Sequence, residues 1–133
     1  MERNIELLKV KEIVHGRIEL RSDDVLIFRP NVATFKEFNL QVLQDLLDAF
    51  VEITDGVPRL YLCDNTYTPA IVSKDDLDFM SKKYPIFATK AAMITDSPIA
   101  RVQVANYNSV YDPTVKLGAF VSEESAIEWL LKA

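Results

Sequence analysis

The chain has 133 residues, 49% of them hydrophobic and 26% charged, with a formal net charge of −5. That length fits one domain, long enough to hide a core without metal or disulfide staples. The acidic balance argues against a nucleic-acid binder or attraction to an anionic membrane, because both need a basic face and only Lys82–Lys83 offers a local one.

No stretch approaches the roughly 18 consecutive apolar residues of a membrane span, and "MERNIELLKV" lacks the apolar core of a secretory signal. A cytoplasmic location is the expectation. The single cysteine, Cys63, has no internal disulfide partner, which agrees with a reducing compartment.

Residues 1–15 form an N-terminal extension whose pattern suits two states. Ile5, Leu8 and Ile13 fit a helix, whereas Ile5, Leu7 and Lys9 fit an alternating strand. In "GRIELRSDDVLIFRP", residues 16–30, Ile18 and Leu20 alternate with Arg17, Glu19 and Arg21, and Ser22–Asp24 supplies a turn before Val25–Phe28. This pattern predicts a β-hairpin. From Thr34 to Gly56 the stripe Phe35, Phe38, Val42, Leu46, Phe50 and Ile53 predicts a helix, with Thr34 and Glu37 as a capping box and Gly56 as the stop.

The chain then alternates. Leu60–Cys63 reads as a strand, Ser73 caps a helix reaching about Tyr84, and Pro85 ends it. Ala91–Ile94 is a strand, followed by Ser97 as N-cap and Pro98 at the first helical position. Val115–Phe120 is a strand, and Ser122 caps a last helix that turns Ala126, Trp129 and Leu130 inward. The expected fold is α/β: an N-terminal β-hairpin followed by αβαβαβα, with a mixed sheet flanked by helices.

In such a sheet, ligands collect beyond the carboxyl ends of the strands, here Asp64–Val72, Thr95–Ser97 and Val121–Ser122. Each segment feeds a helix N-terminus, whose free N–H groups favour anions. Gly16, Gly56 and Gly118 are the only glycines and none lies in these loops, so no phosphate-cradling motif is present. Asp75, Asp76 and Asp78 read as charges compensating a helix dipole, answered by Lys82 and Lys83, rather than as metal ligands. His15, the only histidine, reads as a surface residue. Cys63 reads as a small core side chain. Tyr67, Tyr84, Tyr107 and Tyr111 lie outside the clear core stripe; Tyr67 could line a pocket, and "ANYNSVYDP" reads as a helix end followed by a turn. No metal or cofactor is implied.

"LYLCDN", "SKDDLDFM", "KAAMITDSPIARVQVANY" and "VKLGAFVSEESAIEWLLK" together resemble a group of small bacterial proteins classed as STAS-like, or SpoIIAA-like. The resemblance covers roughly residues 16–132. Its most specific part is the closing pattern of Phe120, Ala126, Trp129 and Leu130. It implies that residues 16–133 form a single STAS-like domain, an architecture shared with lipid-binding domains. In the better-known anti-sigma factor antagonists of this kind, a serine after a strand-end Asp is phosphorylated. Here Asp64 is followed by Asn65, Thr66 and Tyr67, so serine and glycine are both missing, and Thr66 and Ser73 are the nearby hydroxyls left as phosphoacceptors.

The expected role is non-enzymatic and regulatory, through an unknown protein partner at Asp64, Asn65, Thr66, Tyr67, Ser73, Asp96 and Ser97. The alternative is a module for a small apolar or lipid ligand, lidded by Tyr67, Ala70, Ile71 and Val72 and needing a cavity of at least about 300 Å³. An enzyme would have to work with Asp64, Asp96 and Tyr67. Pairing of the hairpin edge with a second copy is a further possibility.

Overall fold

The computed structural model of the chain describes residues 5–35, 39–66, 73–111 and 114–132. The ambiguous N-terminal stretch is a strand, β1 (Leu7–Ile13), antiparallel to β2 (Gly16–Arg21). Its period was obscured because Lys9 and Lys11 share a sheet face with the core residues Ile18 and Leu20. The two lysines reach carboxylates there, Asp55 at 2.8 Å and Glu52 at 3.1 Å. Gly16 starts β2 with φ +154°, and a Cβ on it would stand 2.3 Å from the Arg29 carbonyl oxygen, so the close approach to the next strand requires glycine. That strand, β3 (Val25–Pro30), completes the expected hairpin.

The first helix begins later than its apolar stripe suggests. Helix α1 runs Leu40–Thr54, and Asn39 is its N-cap, accepting from the Val42 N–H at 2.9 Å. Thr34 instead donates its hydroxyl to the Val14 carbonyl at 2.6 Å, within the turn that leaves β3. Asparagine caps as well as threonine, and the chain needs Asn31–Phe35 to turn back over the sheet. Phe35 still joins the core, edge-on to Phe28; Glu37 and Phe38 lie outside the described residues. At the other end Asp55 and Gly56 both adopt left-handed φ, and the Gly56 N–H closes on the Val51 carbonyl at 3.0 Å.

The remainder is β4 (Arg59–Asp64), α2 (Lys74–Phe87), β5 (Ala88–Ile94), α3 (Pro98–Tyr111), β6 (Leu117–Phe120) and α4 (Glu123–Leu131). Pro85 does not end α2, which continues to Phe87. Tyr84 and Phe87 flank the proline and are both buried against Tyr61, so their packing outweighs one missing N–H bond. Tyr84 and Tyr107 are core residues and continue the aromatic cluster of Phe50, Tyr61 and Phe87. Their expected place outside the core stripe is thereby corrected: each sits on a helix of weak amphipathic pattern.

The described strands make one six-stranded sheet in the order β1-β2-β3-β4-β5-β6, with the first two pairings antiparallel and the other three parallel. Every crossover moves in the same direction, so connections of one hand place α1, α2 and α3 on the same face. Their apolar residues share one core with Ile18, Phe28, Tyr61, Cys63 and Met93. Helix α4 covers the opposite face, where Ala126 and Leu130 meet Val25, Ile27, Leu62, Ala92 and Ile94. The closing sequence pattern has its physical basis here. Trp129 packs against Phe120 with the rings tilted and their centroids 5.4 Å apart, and Lys90 sits over the indole while donating to the Trp129 and Lys132 carbonyls.

Candidate functional site at the carboxyl rim

The parallel strands end side by side. Asp64 is in register with Ile94, and Ile94 with Phe120. The ladder continues one step further, with the Asn65 N–H on the Ile94 carbonyl at 3.0 Å and the Thr95 N–H on the Phe120 carbonyl at 2.8 Å. Beyond this rim come the helix starts. Ser73 forms a full capping box with Asp76, at 3.1 and 3.0 Å. Ser97 accepts from the Ala100 N–H at 3.3 Å, and Ser122 from the Ser125 N–H at 3.2 Å. The three serine caps are where their sequence pattern put them.

Among the described strands the order never reverses, so they form no switch point at which adjacent crossovers diverge to opposite faces. Its polar groups are tied to one another. One Asp64 oxygen lies 3.4 Å from Arg29 Nη1, and the other accepts from the Thr66 N–H and hydroxyl at 3.1 and 2.5 Å. Asn65 is buried and accepts a long bond from the Cys63 thiol. Thr95 is buried as well, its hydroxyl accepting from the Ser97 N–H, while Asp96 beside it is exposed. Tyr67, with Ala70, Ile71 and Val72, lies outside the described residues.

The periodicity concealed a charged hub next to Asp64. Arg29 donates Nε to Glu19 at 3.0 Å and Nη1 to Glu123 at 2.7 Å, while Glu19 also takes Arg17 at 3.0 Å. Partial burial opposes the Arg29 charge, but the carboxylates of Glu123 and Glu19 outweigh it and hold the guanidinium above its ordinary value. Glu19 alternates with apolar residues and so reads as solvent-facing, yet its side chain is only 10% exposed. A strand-end arginine with glutamate at a distant helix start carries no local sequence signal.

Other candidates resolve into structure. Burial pushes the Cys63 thiol up to about 12, so it stays protonated and unreactive at neutral pH. Burial likewise raises the Tyr61 and Tyr84 phenols well above their ordinary value. His15 is half-buried rather than at the surface, with Nε2 2.8 Å from the Asp45 carboxylate of α1. Asp76 belongs to its capping box and Asp78 lies 3.8 Å from Lys74. Among the described residues no group of three or more His, Cys, Asp or Glu could hold a metal ion. No described helix is long and apolar enough to cross a membrane. The apolar gap between α1, α2 and the sheet, floored by Tyr61, Cys63 and Met93, has a volume of about 30 Å³, room for one water.

A family model described as a domain of unknown function matches residues 18–133, from β2 through α4. No curated protein and no solved structure matches the chain.

Proposed function

This chain belongs to the DUF7793 family, whose function is unknown; on the geometry of its own rim we propose a non-catalytic, STAS-like regulatory domain that contacts a protein partner through its carboxyl rim. The observation that carries this reading is the state of the rim itself. Parallel strand ends and serine-capped helix starts lie along one rim of the sheet, and Asp64, Asp76 and Glu123 are engaged in a cap or ion pairs rather than poised against a nucleophile, while Asp96 stands exposed. Such a surface supplies shape and hydrogen bonds to a partner without assembling a proton-transfer pair.

The small-ligand alternative is less well supported, because α1 and α2 would have to part to enlarge a space of about 30 Å³. In the switch version of the reading, a phosphate on Thr66 would lose the hydroxyl bond to Asp64 and set a dianion against that carboxylate. Ser73 would lose its capping role instead.

Photo-crosslinking in the native host tests the proposal. A benzophenone amino acid at Thr66, Asp96 or Ser97 is expected to give one discrete protein adduct, and at Asp48 on α1 none. Equal labelling at all four positions, or none at the rim, would remove the partner reading. Phosphosite mapping of the same material decides between a constitutive and a switched contact at Thr66 and Ser73.

A further inference from the structure

Among the described residues the sheet has two open edges, and they differ. β1 carries Lys9, Lys11, Glu12 and a register shift between Leu7 and Lys9, the devices that keep an edge from pairing. β6 reads Leu117-Gly118-Ala119-Phe120 and carries no charge. It forms the floor of an open groove of about 600 Å³, walled on one side by Arg101, Val104, Ala105 and Asn108 of α3, and on the other by Ser125 of α4.

In a parallel ladder, alternate residues of an edge strand turn their N–H and C=O groups away from the sheet. The Ala91 N–H binds the Lys116 carbonyl and the Thr95 N–H binds the Phe120 carbonyl, so Leu117 and Ala119 are the outward residues. At Leu117 the outward pair is already used. The Asn108 carboxamide donates to the Leu117 carbonyl at 2.6 Å and accepts from its N–H at 3.0 Å. A side-chain amide there makes the two bonds that a peptide group of a seventh strand would make. The next outward pair, at Ala119, faces the groove.

We propose that the β6 edge is a strand-addition site: an extended peptide segment of a partner protein pairs with Ala119 and places an acidic side chain against Arg101. Arg101 is exposed and is the only charged residue among those lining the groove, so it selects a carboxylate. Ala105 and Ala119 are small and leave room for side chains of the incoming strand, whereas the space over Gly118 is already filled by the Phe120 and Trp129 rings. A second copy fits poorly. Its β6 would bring its own α3 and α4 against these walls, and its β1 edge is broken by the register shift between Leu7 and Lys9. The groove adjoins the carboxyl rim at Phe120 and Val121, but its pairing atoms at Ala119 and its charge at Arg101 are not part of the proposed partner face, so this site stands without that one.

A displayed library of random linear peptides about eight residues long, panned on the full chain, tests the proposal. Enriched peptides are expected to alternate apolar residues around an Asp or Glu. Ala119→Pro removes the outward N–H, and Ala105→Trp fills the groove from an exposed helix position without touching the strand. Each should weaken the selected peptides about tenfold or more, whereas Arg101→Glu should reverse their charge preference. Thr66→Ala and Asp96→Ala at the rim should leave affinity unchanged. Thermal melting verifies that each variant is folded. The proposal is overturned if no peptide is enriched, if those enriched bind Ala105→Trp as well as the parent, or if the chain self-associates through this edge.

Discussion

Arg29 joins more of the rim than any residue singled out by pattern, reaching Glu19 on β2, Asp64 on β4 and Glu123 on α4. Its side chain is 35% exposed but that of Glu19 is only 10%, so removing the arginine leaves a nearly buried carboxylate with Arg17 alone. Arg29→Met should therefore cost about 1–3 kcal/mol, between the values typical of exposed and buried pairs, and urea unfolding measures it. A cost below about 0.5 kcal/mol would mean that the hub contributes only at the level of a surface pair. The His15–Asp45 pair makes a different prediction, in pH. The hydrogen bond from His15 is the main cause that holds the Asp45 carboxyl below its ordinary 3.8. The resulting stability is fully present above the unfolded value and fades as pH falls through the lower folded one. Asp45 is exposed, so the effect should be under about 1 kcal/mol. Asp45→Asn should lower the melting temperature at pH 7, and the two curves should converge as the pH falls below the lowered folded value of Asp45. Curves that stay apart in acid would assign the effect to packing.

Elements were legible where the signal was local. The caps at Ser73, Ser97 and Ser122 are short-range hydrogen bonds between a side chain and a nearby N–H, and the structure forms each of them. The hairpin followed from alternation and a turn, both local as well. Where two local signals competed, tertiary placement decided. Thr34 and Asn39 are both good caps, and the turn out of β3 committed Thr34 to Val14, leaving Asn39 for the helix. Asn39→Ala should accordingly destabilise the protein by about 1 kcal/mol, read from the denaturation midpoint. Thr34→Ala loses a single exposed bond and should cost less; the reverse order would restore the earlier helix start. β1 escaped detection for a related reason. Its inward lysines are satisfied by Asp55 and Glu52 of the α1 region, more than forty positions along the chain, so no window of sequence shows them as inward.

At the scale of the molecule, strand order sets what the sheet can do. A sequential order with crossovers of one hand leaves three helices on one face and α4 alone on the other, so coverage is complete only over the middle strands. Val25 to Phe28 of β3 and Tyr61 to Cys63 of β4 are buried, as are Ala91 to Ile94 of β5, whereas Leu7 to Val10 of β1 are exposed. Local opening follows coverage, because an amide exchanges through the cheapest fluctuation that frees it. Native-state hydrogen exchange should find the β3–β4–β5 amides protected close to the level of global unfolding. Those of β1 should exchange through a smaller opening, at least about 2 kcal/mol below it, and outward Ala119 of β6 should be nearly unprotected. The rim at Asp64 and Ile94 would then stand on the most rigid strands of the fold, as a preorganised docking face requires. β1 amides as slow as those of β4 would show that the first strand is part of the cooperative core, and would make its lysine–carboxylate pairs a larger contribution than their exposure suggests.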